Sequence, residues 1–437
     1  MRLFSTILGL VTKLAKVLAS VRMSREHRQD SCASFIIKTP RSLVGVLTPS
    51  LLLAACCTPL PAQLPDSFLG QDGILTKQEI SDGWIALFDG ETFFGWRPQK
   101  AANFRVEAGA IVVDQGEQAL LCTTTQFSDY ILKLQFRADK NTNSGVFLRT
   151  PPAPKNVTEE SFELNIASPD NPFPTGSLVQ RAKVEGVGSD LDWHDYEVTM
   201  DGGHVVIKLD GKQILDYTDD KAVGRGFIGL QHNSGRVEFK NVKLKPLGTE
   251  PVFNGKDLSG WKQYPEMASK FTVTPEGNLY VRNGKGQLET EGMYGDFVLQ
   301  LECITHGVHL NSGIFFRCIP GEEMNGYECQ IQHGYLEGDR TKPMDFGTGA
   351  IFRLKPARRV VANDFEWFAT TLIAEGPHIA AWVNGYPVTD WVDRRKPDKN
   401  PRRGLRTEAG TIMIQGHDST TELSFRKLRI GEMKPRR

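Results

Sequence analysis

Tyr130-Ile-Leu-Lys-Leu-Gln-Phe-Arg137 is the stretch that decides the fold. Tyr130, Leu132, Leu134 and Phe136 fall on one side of an extended chain, and Ile131, Lys133, Gln135 and Arg137 on the other. That period of two is the signature of a strand with one buried face. Phe297 to Cys303 alternates in the same way. Val205-Val-Ile-Lys-Leu209 runs into Asp210-Gly211, a strand entering a hairpin turn. Long amphipathic helices are absent from the pattern. Thr76-Lys-Gln-Glu79 has the spacing of a capping box and predicts one short helix. Many short strands between Gly, Asp and Asn turns predict an all-β chain of the sandwich or jelly-roll kind.

The chain repeats itself. Phe88-Asp-Gly-Glu-Thr-Phe-Phe-Gly-Trp96 returns as Phe253-Asn-Gly-Lys-Asp-Leu-Ser-Gly-Trp261, and Asn143-Ser-Gly-Val-Phe-Leu-Arg149 as Asn311-Ser-Gly-Ile-Phe-Phe-Arg317. Phe162-Glu-Leu-Asn-Ile166 returns as Tyr327-Glu-Cys-Gln-Ile331, Trp193 as Trp367, and Gly226-Phe-Ile-Gly-Leu-Gln231 as Gly410-Thr-Ile-Met-Ile-Gln415. A unit this long is a duplicated domain rather than a solenoid repeat. The join falls near Leu247-Gly-Thr-Glu-Pro251. The expected organisation is a leading segment and linker over 1–63, a first sandwich over 64–248 and a second over 249–437. Cutting near Thr249 is then expected to give two halves that fold alone.

The 437 residues suit such a multidomain chain. Lys plus Arg equal Asp plus Glu at 52 each, which excludes the basic excess of a nucleic-acid binder. Residues 42–55, SLVGVLTPSLLLAA, form an apolar run too short for a comfortable membrane span, preceded by Arg25, Arg28, Lys38 and Arg41. Basic flank, apolar stretch and small residues make a secretory signal layout. Leu53-Ala54-Ala55-Cys56 looks like a bacterial lipobox, in which Cys56 would be lipidated. The alternative is an ordinary signal cleaved near Ala62-Gln63, and Met23 is a second candidate start. An exported protein of the periplasm or outer membrane, attached to the membrane only through its lipid, is the expectation. The seven cysteines show no metal-type spacing. A disulfide among Cys303, Cys318 and Cys329 stays open.

Period two also sorts the polar residues. In Tyr327–Gln332, Tyr327, Cys329 and Ile331 point to the core, so Glu328, Gln330 and Gln332 line the other face. Asn311, Gly313, Phe315 and Arg317 share a face of the preceding strand, and Gln415 leads into Gly416-His417-Asp418. Carboxylate, amide and guanidinium groups among aromatics suit a sugar, whose hydroxyls need paired donors and acceptors. Arg317 with Glu328, and Arg149 with Glu163 in the first copy, are equally readable as cross-strand ion pairs. His417 beside Asp418 could tune proton transfer, and His333 is a comparable candidate. Trp96 and Trp261 read as core plugs, and His204 and His378 as surface-turn residues. No nucleophile elbow, phosphate loop or His-Glu-x-x-His motif is present.

The ordered set Phe253–Trp261, Asn311–Arg317, Tyr327–Ile331 and Gly410–Gln415, with Phe425-Arg-Lys-Leu-Arg-Ile430 at the end, resembles the 3-keto-disaccharide hydrolase domain. Both copies resemble it. The resemblance implies two concanavalin A-like jelly-roll sandwiches and hydrolysis of glycosides whose C3 hydroxyl has become a ketone. The ketone acidifies the C2 hydrogen. A base removes that proton, the C1 substituent leaves by elimination, and water adds back. Such a route needs a base, an oxyanion stabiliser and an acid. On this reading Glu328 is the base, Arg317 stabilises the oxyanion and His417 is the acid. Gln330, Gln332, Asn311, Gln415 and Asp418 bind substrate, with Arg149 and Glu163 their first-copy counterparts. No cofactor is expected, and a divalent metal stays open. The first copy departs from the pattern, with Asn165 for Gln330, Ala167 for Gln332 and no His-Asp step. The main site therefore belongs in the second copy. Non-catalytic, lectin-like sugar binding and a surface interaction module are the competing expectations.

Overall fold

The computed structural model describes residues 74–185 and 191–436. Cys56 and the leading segment lie outside the described residues. Each copy is a sandwich of a five-stranded and an eight-stranded sheet, all antiparallel. The strand Tyr130–Ala138 alternates buried and half-buried positions along its whole length, as the sequence pattern demands. The predicted helix is Lys77–Ser81, and Thr76 and Glu79 close its capping box. Trp96 and Trp261 are buried and donate their indole N–H to Leu87 O and Val252 O at 2.6 and 2.9 Å. Each satisfies its one polar atom while filling its core. Cys303, Cys318 and Cys329 are buried free thiols, so the disulfide that stayed open is not formed.

In the second sandwich the small sheet runs Trp261–Gln263, Gly286–Thr290, Thr411–Gly416, Ser312–Cys318, Tyr327–Ile331. Its inward residues, among them Leu288, Ile314, Cys329 and Ile414, pack on Leu279, Leu299, Leu301 and Phe425 of the large sheet. Because strand side chains alternate, packing these inward turns Phe315, Met413, Gln415, Glu328 and Gln330 to the other face. That face carries the site.

The two sandwiches are interlocked. Leu75 and Trp84 precede the first strand, Ile85–Ala86, but join the second core, whereas Val298, Ile373 and Trp382 of the second join the first. Trp382 donates its indole N–H to Ala86 O at 2.9 Å, and Arg225 pairs with Asp296 at 2.8 Å. The C-terminal Arg436 donates back to Glu160 O at 2.9 Å. Independent folding of halves cut near Thr249 is at odds with this exchange of core residues. His378 is likewise no surface-turn residue. It is buried and faces Asp390 at 2.9 Å, and Asp390 also accepts from Thr124 of the first sandwich.

Candidate active site

The polar face of the second small sheet opens into a cavity of about 360 Å³, bordered by Asn311, Phe315, Glu328, Gln415 and His417 from the strands. Loops add Met324, Phe352, Arg353 and Arg402. A wider cleft of about 610 Å³ follows the seam between residues 80–84, 245–253 and 427–429. Its polar groups are matched internally: Lys427 with Glu302, Gln300 with Gly83 O, Arg429 with Thr249 O. The strand-face cavity is different, because several of its polar atoms have no partner in the protein.

Glu328 stands opposite Phe315 on the neighbouring strand. Burial pushes its carboxyl up to about 7, against the attraction of Arg402 and, more weakly, Arg353, while Asp345 pushes the same way as burial. Desolvation wins because the carboxylate rests buried against the sheet at Gly313, with no hydrogen bond among the described residues to favour its charged form. Asp345 organises the amides beside it. Asn311 donates to its carboxylate at 2.6 Å and Gln330 at 3.0 Å. With both amide N–H groups so engaged, Asn311 Oδ1 and Gln330 Oε1 remain buried acceptors without a protein partner, as does Gln415 Oε1. Buried acceptors left this way are costly unless something donates to them. Two of them, on Asn311 and Gln415, belong to residues that border the cavity with Glu328, which suits a ligand rich in hydroxyl groups. Asp345 holds this position with φ 44°, a left-handed backbone that only its surroundings can enforce.

Arg317 is not in the cavity. It is fully buried and donates to Gly295 O at 3.0 Å, Gly376 O at 2.6 Å and Arg406 O at 3.1 Å, and it pairs with Asp296 at 3.0 Å. Arg149 does the same in the first copy, with Ser128 O, Gly202 O and Val223 O and with Asp129 at 2.7 Å. Both the substrate-facing role and the ion pair with the strand glutamate fall for the same reason. Each arginine sits at a register shift with φ near 50°, which breaks the alternation and swings the side chain off the sheet face. Gln332 also leaves the site, since its side-chain oxygen accepts from Gly334 N at 2.6 Å. His333 is a core residue against Phe368, pushed down to about 4 by burial. His417 does border the cavity and meets Asp418 at 2.8 Å, whereas Asp418 itself closes the turn to Thr420.

Arg402 is the cation that sequence reasoning missed. Its guanidinium lies 5.8 Å from the Phe315 ring, beside Glu328, and donates to Met324 O at 2.5 Å. It comes from an irregular Pro- and Arg-rich loop with no periodicity, so nothing in the pattern marked it. The adjacent loop is pinned by the sheet: Met324 N donates to Gln287 at 2.7 Å and Gly321 N to Glu289 at 3.1 Å. In the first copy Leu120 and Cys122 take the places of Gln287 and Glu289. There they pack with Phe147, Val157 and Phe227, so the matching face is apolar around Glu163. Burial raises the Glu163 carboxyl too, against a hydrogen bond from Gln231.

A model of the 3-keto-alpha-glucoside-1,2-lyase-like domain matches residues 83–245 and again 248–431. The chain belongs to this family. Its two 3-keto-alpha-glucoside-1,2-lyase-like domains are the two sandwiches just described. A curated relative, a 3-keto-disaccharide hydrolase of Bacteroides thetaiotaomicron, is 23% identical over 239 residues, covering 38% of this chain and 79% of the relative. Among solved structures, a protein of Parabacteroides distasonis described as a candidate glycosyl hydrolase is 21% identical with a TM-score of 0.36, covering 40% of this chain and 98% of its own. The carbohydrate-binding module CBM66 of Bacillus subtilis is 14% identical with a TM-score of 0.28, over 35% of this chain and 95% of its own. Membership of the family makes this a carbohydrate-active protein of the 3-keto-disaccharide hydrolase kind.

Proposed function

We propose that the second sandwich cleaves 3-keto-glycosides by elimination across C1 and C2, followed by hydration. The observation that carries this reading is Glu328, a carboxylate brought to about 7 by burial in a cavity it shares with Asn311 and Gln415, whose side-chain oxygens have no partner among the described residues. A base with that affinity for protons is half-ionised near neutral pH and returns the proton readily. Glu328 takes the C2 proton. The electron pair shifts toward the C3 carbonyl, whose oxygen gains negative charge beside the Arg402 guanidinium. The C1–O bond then breaks, and His417, held by Asp418, supplies the proton to the departing hydroxyl. Asn311, Gln330 and Gln415 accept from sugar hydroxyls. Water then adds its hydroxyl at C1 and gives its proton to His417, and Glu328 returns its proton to C2, completing a net hydrolysis. Paired carboxylates of the ordinary glycosidase kind are not required.

The test is incubation with 3-keto-trehalose or 3-keto-lactose, following both released glucose and enone absorbance. Release with wild type and its loss in Glu328→Gln support the reading. Binding of the same sugars without release makes the protein a lectin-like binder instead. Export and lipidation at Cys56 belong to the same proposal. Labelling with a fatty-acid analogue should tag wild type and not Cys56→Ala.

A further inference from the structure

We propose that the outer face of the second sandwich's large sheet carries a second, non-catalytic sugar site, a groove for a neutral polysaccharide chain. The inference rests on the carbohydrate reading above but not on the chemistry of the Glu328 cavity. The groove holds about 460 Å³ and is bordered by Tyr280, Ile304, His306, Trp367, Glu422 and Ser424 among others. Tyr280 donates to Glu422 at 2.6 Å, and His306 meets Ser424 Oγ at 3.0 Å. An indole with fixed phenol, imidazole and carboxylate groups around it matches the two surfaces of a sugar ring. C–H groups pack on the aromatic, and hydroxyls exchange bonds with the polar rim.

The duplication supplies an internal control. Ile304 pairs with Ser424 across two strands, and the same register position in the first copy is Arg137 opposite Glu238. There Arg137 bonds Glu238 at 2.6 Å, Arg236 bonds Glu238 at 3.0 Å and Asp114 at 3.1 Å, and Arg105 bonds Asp114 at 2.8 Å. This ionic lattice covers the first copy's outer face. Arg137 and Lys240 both lie over Trp193, at 4.8 and 4.0 Å. In the second copy Arg426 lies over Trp367 at 4.0 Å, the second cation has become Ile304 opposite Ser424, and the Asp114–Arg236 position is held in reversed sense by Arg282 opposite Glu422. Two copies of one domain thus differ by the loss of one of the two cations over the tryptophan and of the ion pair beside it. Two residues before Trp367 in the chain, Phe365 is 54% exposed with φ 64°, its N–H donating to Thr305 O at 3.0 Å next to Ile304. A bulky residue held outward in a left-handed conformation is strained, and such strain concentrates at binding surfaces. The acidic residues bordering the groove, Glu276 and Glu422, disfavour an acidic polymer, and the Arg426 guanidinium over Trp367 is already neutralised by Glu302 at 2.6 Å.

Native gel electrophoresis in gels containing dextran, soluble starch or laminarin, with polygalacturonate as the acidic polymer, tests this. Wild type should be retarded by at least one neutral glucan and not by polygalacturonate. Trp367→Ala should lose the retardation, with at least a tenfold weaker apparent affinity. Ile304→Arg combined with Ser424→Glu, which rebuilds the first copy's ion pair, should lose it while keeping the indole and the fold. Both variants should turn over a 3-keto-disaccharide as wild type does. Retardation is readable whether or not turnover is found, so failure of the groove and failure of the catalytic reading are distinct results. The groove is refuted by wild type running free in every neutral glucan, by retention that survives both variants, or by retention that disappears in Arg402→Met instead.

Discussion

Gly313 and Glu328 lie so close across the pocket floor that a Cβ at position 313 would stand 2.6 Å from Glu328 Oε1. The glycine is therefore what lets the carboxylate rest against the sheet. The clashing atoms, Oε1 and Cγ at 2.9 Å, belong to one flexible side chain, so Gly313→Ala is absorbed by moving the Glu328 side chain rather than the backbone. Melting temperature should change little. Turnover of a 3-keto-disaccharide should fall about tenfold or more, since a displaced base loses its alignment. A variant of wild-type activity would detach Glu328 from the chemistry.

Glu328 also predicts a pH profile. Its basic form is the active one, so kcat/KM should rise with pH and level off above about 7, with Glu328→Gln lower by on the order of a hundredfold. The stability consequence has the opposite sign. The folded carboxyl holds its proton to about 7 and the unfolded one only to about 4.5. Between those values the folded state binds more protons, so stability falls as pH rises through the window, by up to about 3 kcal/mol. Urea unfolding at pH 4.5 and pH 8 should show wild type losing stability relative to Glu328→Gln. Parallel pH dependences would mean that the carboxyl is not held in an apolar setting.

Arg317 and Arg402 separate structure from chemistry. Arg317→Met removes the charge that faces Asp296 and the donors to three backbone carbonyls. Breaking such a buried cluster costs about 3–5 kcal/mol, and activity should fall only with the folded fraction. Arg402→Met should keep the melting temperature within a few degrees and lower kcat about a hundredfold, with a smaller change in KM. Reversal of the two outcomes would return the oxyanion role to Arg317.

The contrast shows where sequence reading reached and where it stopped. Alternation in Tyr130–Arg137 and Tyr327–Gln332 reports which way side chains point as long as the strand stays regular. Glu328, Asn311 and Gln415 were legible for that reason. Arg317 was not, because one left-handed residue at a register shift reverses the rule, and no residue type announces it. Arg402, Asp345 and Arg353 arrive on loops, whose path is set by bonds such as Met324 N to Gln287 rather than by a period. The interlock of the sandwiches was hidden for a related reason. Trp382 lies in a strand whose every residue is buried, so its burial pattern does not reveal that it serves the other core.

The first sandwich poses the last question, because it keeps a buried glutamate of its own. Glu163 occupies the position of Glu328, opposite Phe147 in place of Phe315. What it lacks is everything around it that the chemistry needs. Leu120 and Cys122 replace the polar pair that pins the loop in the second copy, and Val157 from the short helix Val157–Glu160 packs onto Phe147 and Phe227 instead. An apolar cover of this kind raises the Glu163 carboxyl, and among the described residues no cation acts on it as Arg402 acts on Glu328. Glu163→Gln should therefore leave kcat and KM for a 3-keto-disaccharide unchanged, and the double variant with Glu328→Gln should be no slower than Glu328→Gln alone. A further drop in the double variant would show that both sandwiches turn over substrate, and that the apolar cover opens in solution.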